Sequence, residues 1–185
     1  MIIIVEGIDR VGKTTLVNKI ADSCQIKPFV DSYLQFSFLQ LEKDDNHKIS
    51  SIGFKHVYSN REDIIANTEK INSLINFFEQ YSDKIDNILL DRFHLSEYVY
   101  GGVDRNYLST EVFNLFDERL AKLGAIIIYV EPTDLEWSSK QHGCNLKEHL
   151  DFFEYALGKS KCEIIRCNFN TLDDVVLEIK GRLER

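Results

Sequence analysis

Met1-Ile2-Ile3-Ile4-Val5-Glu6-Gly7-Ile8-Asp9-Arg10-Val11-Gly12-Lys13-Thr14-Thr15 opens the chain, and its reading decides the fold. Met1–Val5 is continuously apolar, as expected of a strand buried on both faces of a parallel sheet. Gly7 to Thr14 matches G-x-x-x-x-G-K-[ST], and Thr15-Leu16-Val17-Asn18-Lys19-Ile20-Ala21 then reads as a helix. Four fixed positions alone can arise by chance. A strand before them and a helix after them are the context that a phosphate-binding loop requires. Its glycines let backbone N–H groups converge on phosphate oxygens, and the helix points its positive end at the anion. Lys13 supplies charge to the outer phosphates, and Thr14 offers a hydroxyl to Mg²⁺. Gly7, Val11, Gly12, Lys13, Thr14 and Thr15 make up the expected ATP-binding set.

Three further apolar runs, Asn87–Leu90, Ala125–Val130 and Glu163–Ile165, read as buried strands, with Lys27–Asp31 as a weaker candidate. Helical patterns cover Lys13–Cys24, Glu62–Ser82, Thr110–Leu123 and Asp173–Leu183. Gln35–Asn60 is read as helical pieces around a binding region. Strands alternating with helices predict an α/β fold: a central parallel sheet flanked by helices, with lid and monophosphate-binding regions. The 185 residues suit a single domain over residues 1–185.

A net charge of −8 argues against a general nucleic-acid binder. No apolar run is long enough for a bilayer, and no signal peptide is visible, so a cytoplasmic location without membrane partners is expected. Cys24, Cys144, Cys162 and Cys167 form no C-x-x-C pair, which points to reduced thiols and not to zinc. His47, His56, His94, His142 and His149 show no metal-ligand spacing and read as surface or core histidines.

The second informative stretch is Asp91-Arg92-Phe93-His94-Leu95-Ser96-Glu97-Tyr98-Val99-Tyr100-Gly101-Gly102. It follows Ile88-Leu89-Leu90 directly and so lies at the carboxyl edge of the sheet, where ligands bind in α/β folds. Asp91 would orient a metal-bound water, and Arg92 would fork onto a phosphate. The bland alternative is a solvated Asp–Arg pair at a strand end. Switch-GTPase elements D-x-x-G and N-K-x-D are not found after a suitable strand, and no G-x-G-x-x-G dinucleotide fingerprint occurs.

Together, Glu6–Thr15 and Asp91–Gly101 resemble the thymidylate kinases, in the form that carries an arginine inside the phosphate loop. The tail Glu163–Arg166, Asn168-Phe169-Asn170 and the following helix agree with that order; in the family this loop packs near the adenine. The resemblance implies Mg²⁺-dependent transfer of the γ-phosphoryl of ATP to a deoxynucleoside monophosphate, dTMP foremost, and is compatible with a homodimer. It implies Arg10, Lys13 and Arg92 as catalytic residues. It implies Asp9, Arg92, Ser96, Glu97 and Tyr100 around the acceptor, and Thr14 and Asp91 at the metal. Arg10 would be the transition-state cation, because the lid stretch Thr133–Leu150 contains Lys140 and Lys147 but no arginine. Tyr100 would crowd a sugar 2′ position.

The chain departs from the family pattern at the base. Asp31–Phe36 lacks an R-E-P-like segment, Ala66–Ile71 lacks the thymine-binding arginine, and Glu97 stands where a small polar residue is usual. A deoxynucleoside kinase is the nearest rival, but Glu131-Pro132-Thr133-Asp134-Leu135-Glu136-Trp137 follows the wrong strand for that family's E-P-x-x-x-W element. A regulatory ATP-binding protein is the alternative outside catalysis.

Overall fold

A computed structural model of the chain describes residues 1–26, 49–55, 64–105, 110–134 and 146–184. The strands are β1 (Ile2–Glu6), β2 (Ile49–Lys55), β3 (Ile85–Asp91), β4 (Ile126–Glu131) and β5 (Glu163–Asn168). The helices are α1 (Lys13–Ser23), α2 (Ile64–Tyr81), α3 (His94–Arg105), α4 (Thr110–Lys122), α5 (Leu146–Lys159) and α6 (Leu172–Leu183), with a 3₁₀ turn at Phe169–Thr171.

The five strands form one parallel sheet in the order β2-β3-β1-β4-β5. The most apolar strand, β1, takes the centre, where Ile3 aligns with Leu89 of β3 on one side and with Ile126 of β4 on the other. Every β1 residue is buried, because helices cover both faces. Helix α1 buries Leu16, Val17, Ile20 and Ala21, and α6 packs beside it through Val175, Val176 and Ile179. The chain leaves β1 towards β2 on one side of the sheet and leaves β4 towards β5 on the other. A crevice therefore opens at the carboxyl ends of the central strands, the usual ligand position in such sheets.

The expected strands and helices all form except Lys27–Asp31, which lies outside the described residues, as do the lid stretch 135–145 and the histidines at 47, 56 and 142. Residues 49–55, expected to fall in helical pieces, form the edge strand β2. Its sequence, Ile-Ser-Ser-Ile-Gly-Phe-Lys, lacks the apolar run of a central strand because it pairs with β3 alone.

Two helices were not expected from the sequence. Helix α3 carries Gly101 and Gly102 in its interior, each disfavoured by about 1 kcal/mol relative to alanine, which hides its helical signal. Helix α5 follows the stretch expected to form a lid and buries Leu146, His149, Phe153, Ala156 and Leu157, a regular one-face spacing. Its first five residues, 146–150, are the end of the stretch assigned to the lid.

Candidate active site

The loop between β1 and α1 is shaped by contacts on both flanks. Gly7 has φ 140°, and a β-carbon there would stand 2.5 Å from the carbonyl oxygen of Val130 at the end of β4. Gly12 has φ 100°, and a β-carbon there would stand 2.9 Å from the ring of Phe169. Only glycine satisfies the backbone angle and the close approach at both places. Phe169, in the turn after β5, thus lies over the end of the phosphate loop with its ring 56% exposed.

Lys13 is 4% exposed and its Nζ donates a hydrogen bond to the carbonyl oxygen of Ile8. Burial pushes its pKa down to about 8, against the upward pull of the Asp91 and Glu6 carboxylates. The ammonium is thus held back across the loop, with the backbone closed around it. A triphosphate would add negative charge beside the ammonium and so oppose the effect of burial.

Thr14 stands at the start of α1, and its hydroxyl donates to Asp91 Oδ2 at 3.3 Å. This hydroxyl and carboxylate are hard oxygen donors facing each other at the start of α1 and the end of β3, the donor set Mg²⁺ prefers. Among the described residues no group of three or more His, Cys, Asp or Glu could hold a metal. Mg²⁺ does not need one, because it commonly takes one or two protein oxygens and completes its shell with phosphate and water.

The segment after β3 is anchored by Glu6, which is fully buried. Glu6 Oε1 accepts from the backbone N–H of Phe93 at 2.9 Å and of Ser96 at 3.3 Å, and Oε2 accepts from the Ser96 hydroxyl. A carboxylate at the end of β1 thus caps the N-terminus of α3, where orphan N–H groups and the helix dipole favour an anion. Glu6 carries no role in the sequence motifs themselves. The signal was an acidic residue at the end of a fully apolar strand, where it had to be buried. Ser96 consequently faces inward to Glu6, fully buried, and holds the helix start.

The backbone N–H of Arg92 bonds the carbonyl oxygen of Val5 at 2.9 Å, which sets Arg92 beside the phosphate loop. Its guanidinium pairs with the Asp9 carboxylate and lies over the Tyr100 ring, 5.4 Å from the centroid. Asp9, Arg92 and Tyr100 come from the loop, the β3 end and α3, and the fold brings them together on one wall. Tyr100 is buried, and its ring also meets His149 at 4.9 Å and Phe153 at 6.2 Å. Burial pushes its hydroxyl pKa up, and the Arg92 charge opposes this. The ring is thereby fixed from behind by α5.

Arg10 is exposed at the loop with φ 63°, and Arg92 has φ 64°. Val11 is buried, while Thr15 is exposed on the first turn of α1. Glu97, one turn before Tyr100, forms an ion pair with Arg105 at 2.7 Å, the two side chains 12% and 8% exposed. His94 and His149 are core histidines, paired with Asp117 at 3.0 Å and with Asp104 at 3.1 Å. Asp117 also accepts from the Ser160 hydroxyl at 2.5 Å and the Lys161 N–H at 2.6 Å. Burial would raise its pKa, but these bonds hold it below the usual carboxylate value. The cysteines at 24, 162 and 167 are free thiols.

No protein-family model matches the sequence, and no curated protein matches it. Solved structures do match the fold. YorR of Bacillus subtilis, solved in complex with phosphorylated GDP, aligns over 100% of this chain and 96% of its own, with a TM-score of 0.65 and 18% identity. The chain has a P-loop NTPase fold. Thymidylate kinase from Candida albicans aligns over 100% of this chain and 91% of its own, with a TM-score of 0.50 and 16% identity. Among the described residues no helix is long and apolar enough to cross a membrane.

Proposed function

We propose that this P-loop protein is a nucleoside monophosphate kinase, which transfers the γ-phosphoryl group of ATP to the phosphate of a deoxynucleoside monophosphate. The observation that carries this reading is the Asp9–Arg92–Tyr100 wall beside the phosphate loop. A guanidinium there can bind two oxygens of an acceptor phosphate at once, while a bare nucleoside offers it no charge. The two structural neighbours, one a thymidylate kinase and the other solved with phosphorylated GDP, are in keeping with it.

Phosphoryl transfer requires two phosphates in line and a field that accepts charge spreading over the transferred group. Gly7 and Gly12 let the loop close around the ATP phosphates, and Lys13 exchanges the Ile8 carbonyl for a phosphate oxygen. Thr14 and Asp91 would hold Mg²⁺, which supplies neutralising charge at the phosphates when bound. Arg92 turns its guanidinium to the acceptor phosphate. Asp9, released from Arg92, becomes free to accept a hydrogen bond from a sugar hydroxyl. Arg10, exposed on the loop, contributes its charge as the transferred group separates. The acceptor is already an anion at neutral pH, so the site needs no general base. Tyr100, backed by Phe153 and His149, would crowd a ribose 2′-hydroxyl.

A panel of nucleosides and nucleoside monophosphates with Mg²⁺-ATP, with dTMP as the acceptor implied by the resemblance, tests this. Diphosphates should form from deoxynucleoside monophosphates, ribonucleotides should be poorer, and a smaller residue at 100 should narrow that gap. Transfer to nucleoside hydroxyls with monophosphates inert would make the protein a nucleoside kinase. ATP binding with no acceptor consumed would make it a regulatory ATP-binding protein.

A further inference from the structure

We infer that Asp104 and His149 are positioning residues for the acceptor: their hydrogen-bonded pair holds the Tyr100 ring in place and so sets how strongly the site prefers deoxyribose to ribose. This rests on the monophosphate-kinase reading above. Tyr100 and Asp104 are four residues apart on α3, and His149 and Phe153 are four apart on α5. Residues at that spacing lie one above the other on a single helix face. The two faces meet. His149 touches both α3 residues: its Nε2 stands 3.1 Å from Asp104 Oδ1 and 3.2 Å from Oδ2, and its ring centre lies 4.9 Å from that of Tyr100. Phe153 meets the same tyrosine edge-on at 6.2 Å. The Arg92 guanidinium lies over this ring, so the block of four residues stands directly behind the acceptor wall.

The pair fixes what packing alone would leave loose. A carboxylate only accepts, so His149 Nε2 carries a proton and donates it to Asp104. Apolar contacts are non-directional and let one helix shift against another at little cost. A hydrogen bond has a short range and a preferred angle, and this one joins α5 to α3 in a single register. The choice of residue points the same way. His149 is buried, and leucine or phenylalanine there would fill the space without a polar atom to satisfy. Histidine needs a partner, and it finds one on the helix that carries Tyr100, one turn further on. The tyrosine, the carboxylate below it and the imidazole that touches both are thereby locked as one unit.

The consequence falls on the sugar. Ribose differs from deoxyribose by one hydroxyl, and a wall refuses that oxygen only if it does not yield. A displacement of about 1 Å makes the room, and misplacement on that scale costs a reaction up to about 10²-fold. Loosening Tyr100 therefore acts on the two sugars in opposite senses: the deoxy acceptor loses a fixed surface, and the ribo acceptor gains space. Their ratio is the sensitive quantity. A pair that served stability alone would lower Tm when broken and leave the ratio where it was.

The experiment measures kcat/KM with Mg²⁺-ATP for dTMP, dCMP, dGMP and dAMP, each beside its ribose counterpart, in the wild type, D104A, D104N and H149L. The Asp104 side chain is 42% exposed, so its variants open no cavity in the core, and after H149L the carboxylate remains within reach of water. In the pair of acceptors used best, the wild type should favour the deoxy form by about tenfold or more. D104A and H149L should reduce that preference to about a third or less of the wild-type value, and should raise KM for the deoxy acceptor more than KM for ATP. D104N, whose amide oxygen still accepts from Nε2, should keep the preference. A preference unchanged in D104A and H149L would overturn the inference, as would its loss in D104N or a wild type indifferent to the sugar. Each of these results leaves the kinase reading intact, because monophosphates are still phosphorylated. Failure of every monophosphate in the wild type would instead remove the kinase reading, and the inference with it.

Discussion

Replacing Lys13 by methionine should stabilise the free protein while abolishing phosphoryl transfer. Lys13 is 4% exposed, and its pKa falls from 10.5 to about 8, by burial against the pull of Asp91 and Glu6. At about 1.4 kcal/mol per pH unit, keeping the ammonium charged in the folded protein costs about 3 kcal/mol at neutral pH. Methionine, similar in length, removes that penalty. It also leaves the Ile8 carbonyl without its donor, which costs about 1–3 kcal/mol. The net gain is about 1 kcal/mol, or about 2–4 °C in Tm for a chain of this size.

The pH dependence separates this from better packing. Unfolded, the lysine keeps its proton up to a pH near 10.5; folded, it releases it near 8. Between these values the unfolded state holds more protons, so wild-type stability rises with pH. The penalty is complete below about pH 8 and fades towards pH 10.5. Methionine has no proton to lose, so the advantage of Lys13→Met should shrink across that window. Unfolding of both proteins at pH 7 and at about pH 9.5 reads this directly. A variant less stable than wild type at pH 7, or a difference indifferent to pH, would refute the argument.

Arg10→Gly should lower kcat by about 10³-fold or more with little change in the ATP dissociation constant, and should not destabilise the fold, because glycine adopts the loop's φ of 63° without strain. A change in ATP affinity alone would make Arg10 a ground-state contact. Glu6→Gln removes half of the acceptor capacity that caps α3, and should cost about 1–3 kcal/mol in urea unfolding. It should also raise KM for the acceptor more than KM for ATP; equal rises would show that Glu6 does not act through the Arg92 segment.

The sequence carries the parts of the fold whose causes are local. The β1 run, the two glycines and Lys13-Thr14 announce strand, loop and helix because each is fixed by neighbours within a few residues. The Asp91-Arg92 pair is legible because its place at a strand end follows from the apolar run before it. What stays hidden depends on partners far along the chain. Helix α3 looks unfavourable alone and is held by Glu6 from another strand. Ser96 reads as an acceptor contact until that carboxylate is seen to claim its hydroxyl. The motif of Tyr100 suggests a place near a sugar, but its backing by Phe153 and His149 comes from α5, a helix whose pattern was not read from the sequence. Strand β2 is obscured for the opposite reason: an edge position asks too little of its residues to leave a pattern.

The distribution of strain says which groups the molecule keeps for reasons other than stability. Among the described residues, the non-glycine positions at positive φ are Arg10, Gln25 and Arg92. Gln25 follows the end of α1, where the left-handed conformation is an ordinary way to stop a helix. Arg10 and Arg92 have no such excuse, and left-handed backbone costs a branched-at-Cβ or long side chain about 1–2 kcal/mol. Glycine would relieve both. Close by, Lys13 holds a charge out of water at about 3 kcal/mol. All three are cations, and all three stand where the ends of β1 and β3 face the same crevice. A fold optimised only for stability would carry Gly, Met and Gly at these positions. Three cations kept there against local preference are what the proposed kinase reading calls for, because a triphosphate beside a monophosphate would balance them.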